Sequence, residues 1–162
     1  MKKTDHLPVY GVGPLCVYSM AAFLIVGIVL RYLGILESGA VPKLRIPMLL
    51  LGLVLVALGL WIWVRAVLIQ KVGDAILENH LMTSGVYGWV RNPIYSAAAM
   101  AMFGVGLCFA NLWFLLLGPI FWLDMTVLMK LTEEKWLLGL YGDEYRDYCR
   151  RVNRCIPWFP KR

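Results

Sequence analysis

Three long stretches without a single Asp, Glu, Lys or Arg govern what this 162-residue chain can become: residues 7–30, 46–64 and 92–123. A helix that crosses a bilayer needs about 20 mostly apolar residues. The first two stretches therefore fit one helix each, and the third fits two short ones joined at Asn111. With 60% hydrophobic residues the chain carries more apolar surface than a soluble domain of this size can bury. The expected fold is all-α: a polytopic membrane protein with about four transmembrane helices, near 10–33, 46–69, 93–109 and 112–130, and an interfacial C-terminal helical segment. One domain over 1–162 is expected, with 1–70 supplying the first two helices and 71–162 the second pair and the tail.

Lys2 and Lys3 ahead of an apolar run resemble the start of a signal peptide. The run exceeds the roughly 7 to 15 residues of such a segment and no clean small-residue cleavage site follows, so we read it as a span. Leu15-Cys16 lacks the small residues that precede a lipoprotein cysteine. In a four-helix arrangement most Lys and Arg, from Lys2 and Lys3 through Arg65, Lys71 and Arg91 to the tail, fall on one side. The other side holds Arg31, Lys43 and Arg45. The asymmetry predicts that both termini and the middle loop face the cytoplasm, in an inner-membrane setting. The net charge of +6 then reflects this asymmetry and attraction to anionic head groups, with no soluble basic domain to carry nucleic acid.

Cys16, Cys108, Cys149 and Cys155 form no CxxC pair, and His6 and His80 are the only histidines. The pattern points to neither a metal site nor a disulfide framework. Gly11-Val12-Gly13 lacks the third glycine of a dinucleotide loop and reads as an entry to the first helix. Gly52 and Gly59, seven apart, suit close helix packing.

The polar stretches are richer. Arg65–Asn79 alternates charges with Val67, Leu68, Val72, Ile76 and Leu77 at helical spacing, as in a segment that lies in the interface or prolongs the second helix. Thr83-Ser84-Gly85 reads as a turn, and Asn92-Pro93 as an N-cap followed by proline at the first helical position. That leaves His80, Tyr87, Arg91 and Tyr95 around a helix N-terminus, whose free N–H groups suit a carboxylate or phosphate. Interface anchoring by Tyr87, Trp89 and Tyr95 is the plainer alternative. Asp124, an acidic residue inside a span, is a functional candidate by its cost alone, although a structural role is nearly as natural there. Glu133 and Glu134 diverge by about 100° on a helix, so one can meet Lys130 and the other remains open to a cation. Past a break at Gly142, Tyr145, Tyr148 and Val152 share one face of an interfacial helix. Arg151 and Arg154 approach Pro157, where head-group contacts are an equal alternative.

In this order the motifs resemble those of the integral-membrane S-adenosylmethionine-dependent methyltransferases related to isoprenylcysteine carboxyl methyltransferase and to phospholipid N-methyltransferases. That family pattern is matched at His80, Leu81, Thr83, Gly85, Tyr87, Arg91, Pro93, Tyr95, Glu133, Glu134, Leu138, Tyr141, Gly142, Glu144, Tyr145, Tyr148, Arg151, Val152 and Pro157. It is departed from at Val86, usually Pro, and at Asn92, usually His. The resemblance covers about the C-terminal half of the chain. It implies an S-adenosylmethionine pocket lined by His80, Leu81, Thr83, Gly85, Tyr87, Asn92, Pro93, Tyr95, Glu133, Glu134 and Tyr145, with Arg91, Arg151 and Glu134 in catalysis. It implies no metal. The acceptor it implies is lipophilic or lipid-attached, entering from the bilayer: an isoprenylcysteine-type carboxylate, a phospholipid amine or a thiol. Longer sterol reductases share the same C-terminal architecture with a nicotinamide cofactor, and a non-enzymatic membrane scaffold is a third possibility.

Overall fold

The computed structural model describes residues 11–78 and 80–160, with backbone alone at positions 72 and 76. The expectations for Lys2, Lys3, His6 and the residues before Gly11 lie outside this range. The described chain is helical: α1 (Gly13–Tyr32), α2 (Arg45–Val64), α3 (Val72–Leu77), α4 (Pro93–Leu107), α5 (Leu117–Leu131) and α6 (Glu133–Arg151). Three segments are long and apolar enough to cross a membrane: Gly13–Tyr32, Pro42–Ile69 and Leu112–Leu131. The chain is an integral membrane protein.

The fourth expected span is shorter than its sequence window. Helix α4 has 15 residues, about 22 Å at 1.5 Å per residue, against about 30 Å of hydrocarbon. It can be short because it packs against α1, α2 and α5. Its small residues let α2 come close. A Cβ on Gly52 would sit 2.5 Å from the Gly104 carbonyl oxygen, and one on Gly59 would sit 2.6 Å from that of Ala97. The two glycines are thus a packing face, as their spacing indicated.

The core runs along residues four apart: Cys16, Met20 and Leu24 of α1 against Leu117, Phe121, Met125 and Met129 of α5. That spacing returns each side chain to one helix face. Inside this interface the Ser19 hydroxyl donates to Asp124 at 2.7 Å. Asp124 is therefore an interhelical tie between α5 and α1.

The two ends of the bundle differ. At one, the loop between α1 and α2 meets the α4–α5 turn, where Asn111 donates to the Leu36 carbonyl at 2.7 Å and accepts from the Trp113 N–H at 3.0 Å. At the other, α2 runs on through one π-helical turn, Arg65–Ile69, before α3 begins. Of the segment expected over 65–79, residues 65–69 prolong α2 and residues 72–77 add a short helix. Thr132, at φ −128° and ψ −87°, separates α5 from α6. Gly142 kinks α6 with φ 55° and ψ −122°, a conformation that favours glycine. Beyond the kink Tyr145, Tyr148 and Val152 are buried against Leu81, so the expected shared face exists and packs on the 80–92 loop.

Candidate functional site

Three pieces of chain meet at this second end: the 80–92 loop, α6, and the extended residues that follow α6. Gln70 holds the loop, its amide donating to the Ser84 carbonyl at 2.8 Å and accepting from the Val86 N–H at 3.0 Å. Gly85 turns beside it at φ +60°, and a Cβ there would run into the Gln70 amide. The Tyr148 hydroxyl donates to the Tyr87 carbonyl at 2.6 Å, fastening α6 to the same loop.

The C-terminal segment then lies parallel to the loop. Arg91 N–H donates to Asn153 at 2.8 Å, Asn92 N–H to Arg154 at 3.3 Å, and Trp158 N–H to Trp89 at 3.1 Å. Asn92 precedes Pro93 at the start of α4, but its side chain does not cap the helix. The amide donates instead to the Arg154 carbonyl at 3.0 Å. The competing partner is the C-terminal strand, which covers the helix entrance.

The strand positions a buried ion cluster. Arg154 grips Glu134 with both arms of its guanidinium, Nε to Oε1 at 2.5 Å and Nη2 to Oε2 at 3.0 Å. Arg91 reaches the same carboxylate, Nη1 to Oε1 at 3.0 Å. Its Nη1 also approaches the Tyr145 hydroxyl at 3.4 Å and contacts Cys149 Sγ. The side chains of Arg91 and Glu134 are only 8% and 17% exposed. Two guanidiniums therefore face one carboxylate. Arg91 Nε is buried with no partner. An unpaired buried donor is costly, so the cluster carries both spare positive charge and a spare donor.

Glu133 has a separate role. It accepts from the Tyr95 hydroxyl at 2.7 Å and from the Val12 N–H at 3.1 Å, joining α6 to α4 and to the start of α1. Burial holds its carboxyl above the usual range, against the opposing pull of those two donors. Burial likewise pushes the phenols of Tyr87, Tyr145 and Tyr148 up, so they stay protonated. The bond to Glu134 raises Arg154.

The expected site residues thus separate into groups. Arg91, Glu134 and Tyr145 are brought together, with Asn92 beside them through Arg154. Leu81 and Tyr87 are buried beneath, and Pro93 and Tyr95 open α4. His80, Thr83 and Gly85 are exposed on the loop surface. Neither glutamate meets Lys130, which is exposed, and neither is left open for a cation, because Arg and Tyr donors occupy both. Arg151 is exposed and faces away, its Nε 3.5 Å from the Asp147 carbonyl one turn back. The arginine in the cluster is Arg154. The helix stops at Arg151 and the chain becomes extended at Val152, which turns Arg154 inward. Its nearest sequence signal is the approach of that basic run to Pro157.

Directly after Arg154, residues Cys155 through Phe159 wall an apolar cavity of about 910 Å³. Helices α2, α4 and α5 complete it through Trp61, Met100, Phe103 and Trp122 among others. Ser96, whose hydroxyl donates to the Cys155 carbonyl at 2.7 Å, is its one hydroxyl-bearing lining residue. Ligand sites commonly span about 300 to 1,000 Å³ and are mostly apolar, and this cavity has that size and character. Among the described residues no three His, Cys, Asp or Glu converge as metal ligands.

A family model described as phospholipid methyltransferase matches residues 47–144, more than half of the chain. Methanethiol S-methyltransferase 1 of Bradyrhizobium diazoefficiens is 34% identical over 87 residues, 54% of this chain and 30% of that protein. Protein-S-isoprenylcysteine O-methyltransferase of Schizosaccharomyces pombe is 31% identical over 84 residues, covering 51% and 35% of the two chains. Methanethiol S-methyltransferase of Mycobacterium tuberculosis is 32% identical over 94 residues, covering 58% and 37%. The matched regions span about a third of the length of each of these relatives. No solved structure matches.

Proposed function

The chain belongs to the phospholipid methyltransferase family, and we propose that it transfers a methyl group from S-adenosylmethionine to a lipophilic acceptor lodged in the apolar cavity. One observation carries the reading: a single strand supplies Arg154 to the ion cluster and the next five residues, Cys155 to Phe159, to the cavity wall. A charged donor and a greasy acceptor need such adjoining compartments.

The cluster fits the donor. Bound there, S-adenosylmethionine supplies a methyl group already activated on a sulfonium. Its carboxylate suits the spare positive charge and the unpartnered Nε of Arg91. Glu134 ties the two guanidiniums together, and Arg154 holds Glu134 through two contacts. Tyr145 and Tyr148, protonated, pack the cluster against the loop. Displacement at an activated carbon depends on alignment and on excluding water, which the covering strand and buried phenols provide.

Cavity size favours a chain-bearing acceptor. A one-carbon thiol, such as the names of two relatives imply, would leave most of about 910 Å³ empty. The isoprenylcysteine and phospholipid classes named by the third relative and by the family fill it better. The Lys and Arg asymmetry supports an orientation in which the ion cluster faces the cytoplasm from the inner membrane, where a soluble donor is available.

The test is incubation of the purified protein with methyl-labelled S-adenosylmethionine and, in separate reactions, lipid extract, farnesylcysteine analogues or methanethiol, followed by mild alkali. Label in a lipid-extractable product supports the reading. Release of that label by alkali identifies a methyl ester, and retention identifies an N- or S-methyl product. Label that reaches methanethiol but no lipophilic acceptor overturns it.

A further inference from the structure

Arg65 stands one helical turn beyond Trp61, a residue that lines the apolar cavity, and neither the family pattern nor the ion cluster uses it. It begins the π-helical turn that ends α2, an irregularity that often marks a functional position. One turn earlier on the same helix stands Trp61, a cavity-lining residue. The Arg65 guanidinium carbon lies 5.9 Å from the centre of the Trp61 ring. Trp61 in turn stacks on Trp89, also a cavity wall, with centroids 6.0 Å apart and planes 29° from parallel.

Electrostatics makes the residue unusual. No carboxylate among the described residues comes within ion-pair distance of Arg65. Its Nε is buried without a hydrogen-bond partner. An arginine that merely snorkels to the membrane surface keeps its donors in water or among head groups. Here the donor nearest the helix is withdrawn from both, while stacking on Trp61 leaves the guanidinium edge open to a planar or tetrahedral anion.

We propose that Arg65 docks the anionic head, a phosphate or carboxylate, of an amphiphile whose chain fills the cavity. The proposal rests on reading the cavity as the acceptor site. It narrows the acceptor from any lipophilic molecule to one bearing a negative group beside its chain, and makes Arg65 a specificity-determining residue. Two basic groups then stand near the cavity at the same end of the bundle: Arg65, against its wall residue Trp61, and Arg154, next in the chain to its wall residue Cys155.

Binding without turnover tests this. The full-length protein in a non-ionic detergent is titrated with dodecyl phosphate, dodecanol and inorganic phosphate, read by tryptophan fluorescence, to which Trp61 and Trp89 report. Expected for the unaltered protein is binding of dodecyl phosphate at least tenfold tighter than dodecanol, with inorganic phosphate weaker than either. Arg65→Gln should lose that tenfold preference while keeping its dodecanol affinity and its S-adenosylmethionine affinity. Arg65→Lys, which keeps charge but not the fork, should recover part of it. Equal binding of both amphiphiles by the unaltered protein overturns the proposal, as does a preference that survives Arg65→Gln. Equal weakening of both amphiphiles by both variants assigns Arg65 to structure. Inorganic phosphate bound as tightly as dodecyl phosphate assigns it to a free anion. Selective amphiphile binding without any methyl transfer would leave this inference standing and remove the proposed activity.

Discussion

The two ends of the helical bundle each bury a polar knot, and they are built to opposite specifications. Around Asn111, which is 0% exposed, the amide donor has the Leu36 carbonyl and the amide oxygen has the Trp113 N–H. The knot is neutral and closed. Around Glu134 two guanidiniums share one carboxylate, and Arg91 Nε has no partner. That knot is charged and open. A closed network contributes to the fold, because each member satisfies another. An open one leaves its last buried donor, Arg91 Nε, without an acceptor. The difference is what supports reading the second knot as the proposed binding site and the first as a loop clasp.

The largest effect should come from breaking the open knot. Arg91→Ala removes the spare donor and one of the three guanidinium contacts to Glu134, so S-adenosylmethionine affinity should fall by roughly 100-fold or more, in keeping with about 3 to 5 kcal/mol for truncating one partner of a buried charge pair. Calorimetric titration checks this, with circular dichroism showing that helix content persists. A pair of arginines sharpens the same point. Arg154→Ala should weaken binding by at least about tenfold, and Arg151→Ala by no more than about twofold, since an exposed side chain away from such features shifts energies by about 0.5 kcal/mol. Equal losses in the two would place the strand's contribution elsewhere.

Breaking the closed knot should move stability and leave binding alone. Asn111→Ala strands the Leu36 carbonyl and the Trp113 N–H, at a cost of about 1 to 3 kcal/mol, visible as a lower thermal midpoint in detergent with unchanged cofactor affinity. A loss of affinity in that variant would show that the two ends are coupled. The smallest effect is a pH dependence. Because burial raises the carboxyl of Glu133, the folded state keeps this proton where the unfolded chain has released it. Its contribution to stability is full below the ordinary value of 4.5 and is lost as pH rises through the folded value. Glu133→Gln should remove that component, so the fall in thermal midpoint above about pH 4.5 becomes shallower.

How much of this was written in the sequence follows from what each region must avoid. Charge-free stretches located α1, α2 and α5 to within a few residues, because no other fold tolerates them. They could not show which face packs. In lipid, Phe121 in the core and Trp122 and Leu123 on the outside are equally acceptable, and all are apolar. Only the small residues, Gly52, Gly59 and Gly104, betray a close interface. The amphipathic tail was more legible, since water on one side forces Tyr145, Tyr148 and Val152 inward. Within the ion cluster Arg91 and Glu134 were found through motif resemblance. The resemblance carried Arg151 into the expected site and left Arg154 as one of two arginines approaching Pro157, whereas the chain leaves the helix at Val152 and it is Arg154 that meets Glu134. The same strand took the Asn92 amide away from the cap its position suggested.

In the proposed function the Arg91–Glu134–Arg154 cluster receives the carboxylate of S-adenosylmethionine. The most direct measurement is calorimetric titration of the intact protein with S-adenosylmethionine and with its decarboxylated analogue. The account predicts saturable binding of the former and at least about tenfold weaker binding of the latter, with Arg91→Ala abolishing the difference. Equal affinity for the two in the unaltered protein would contradict it.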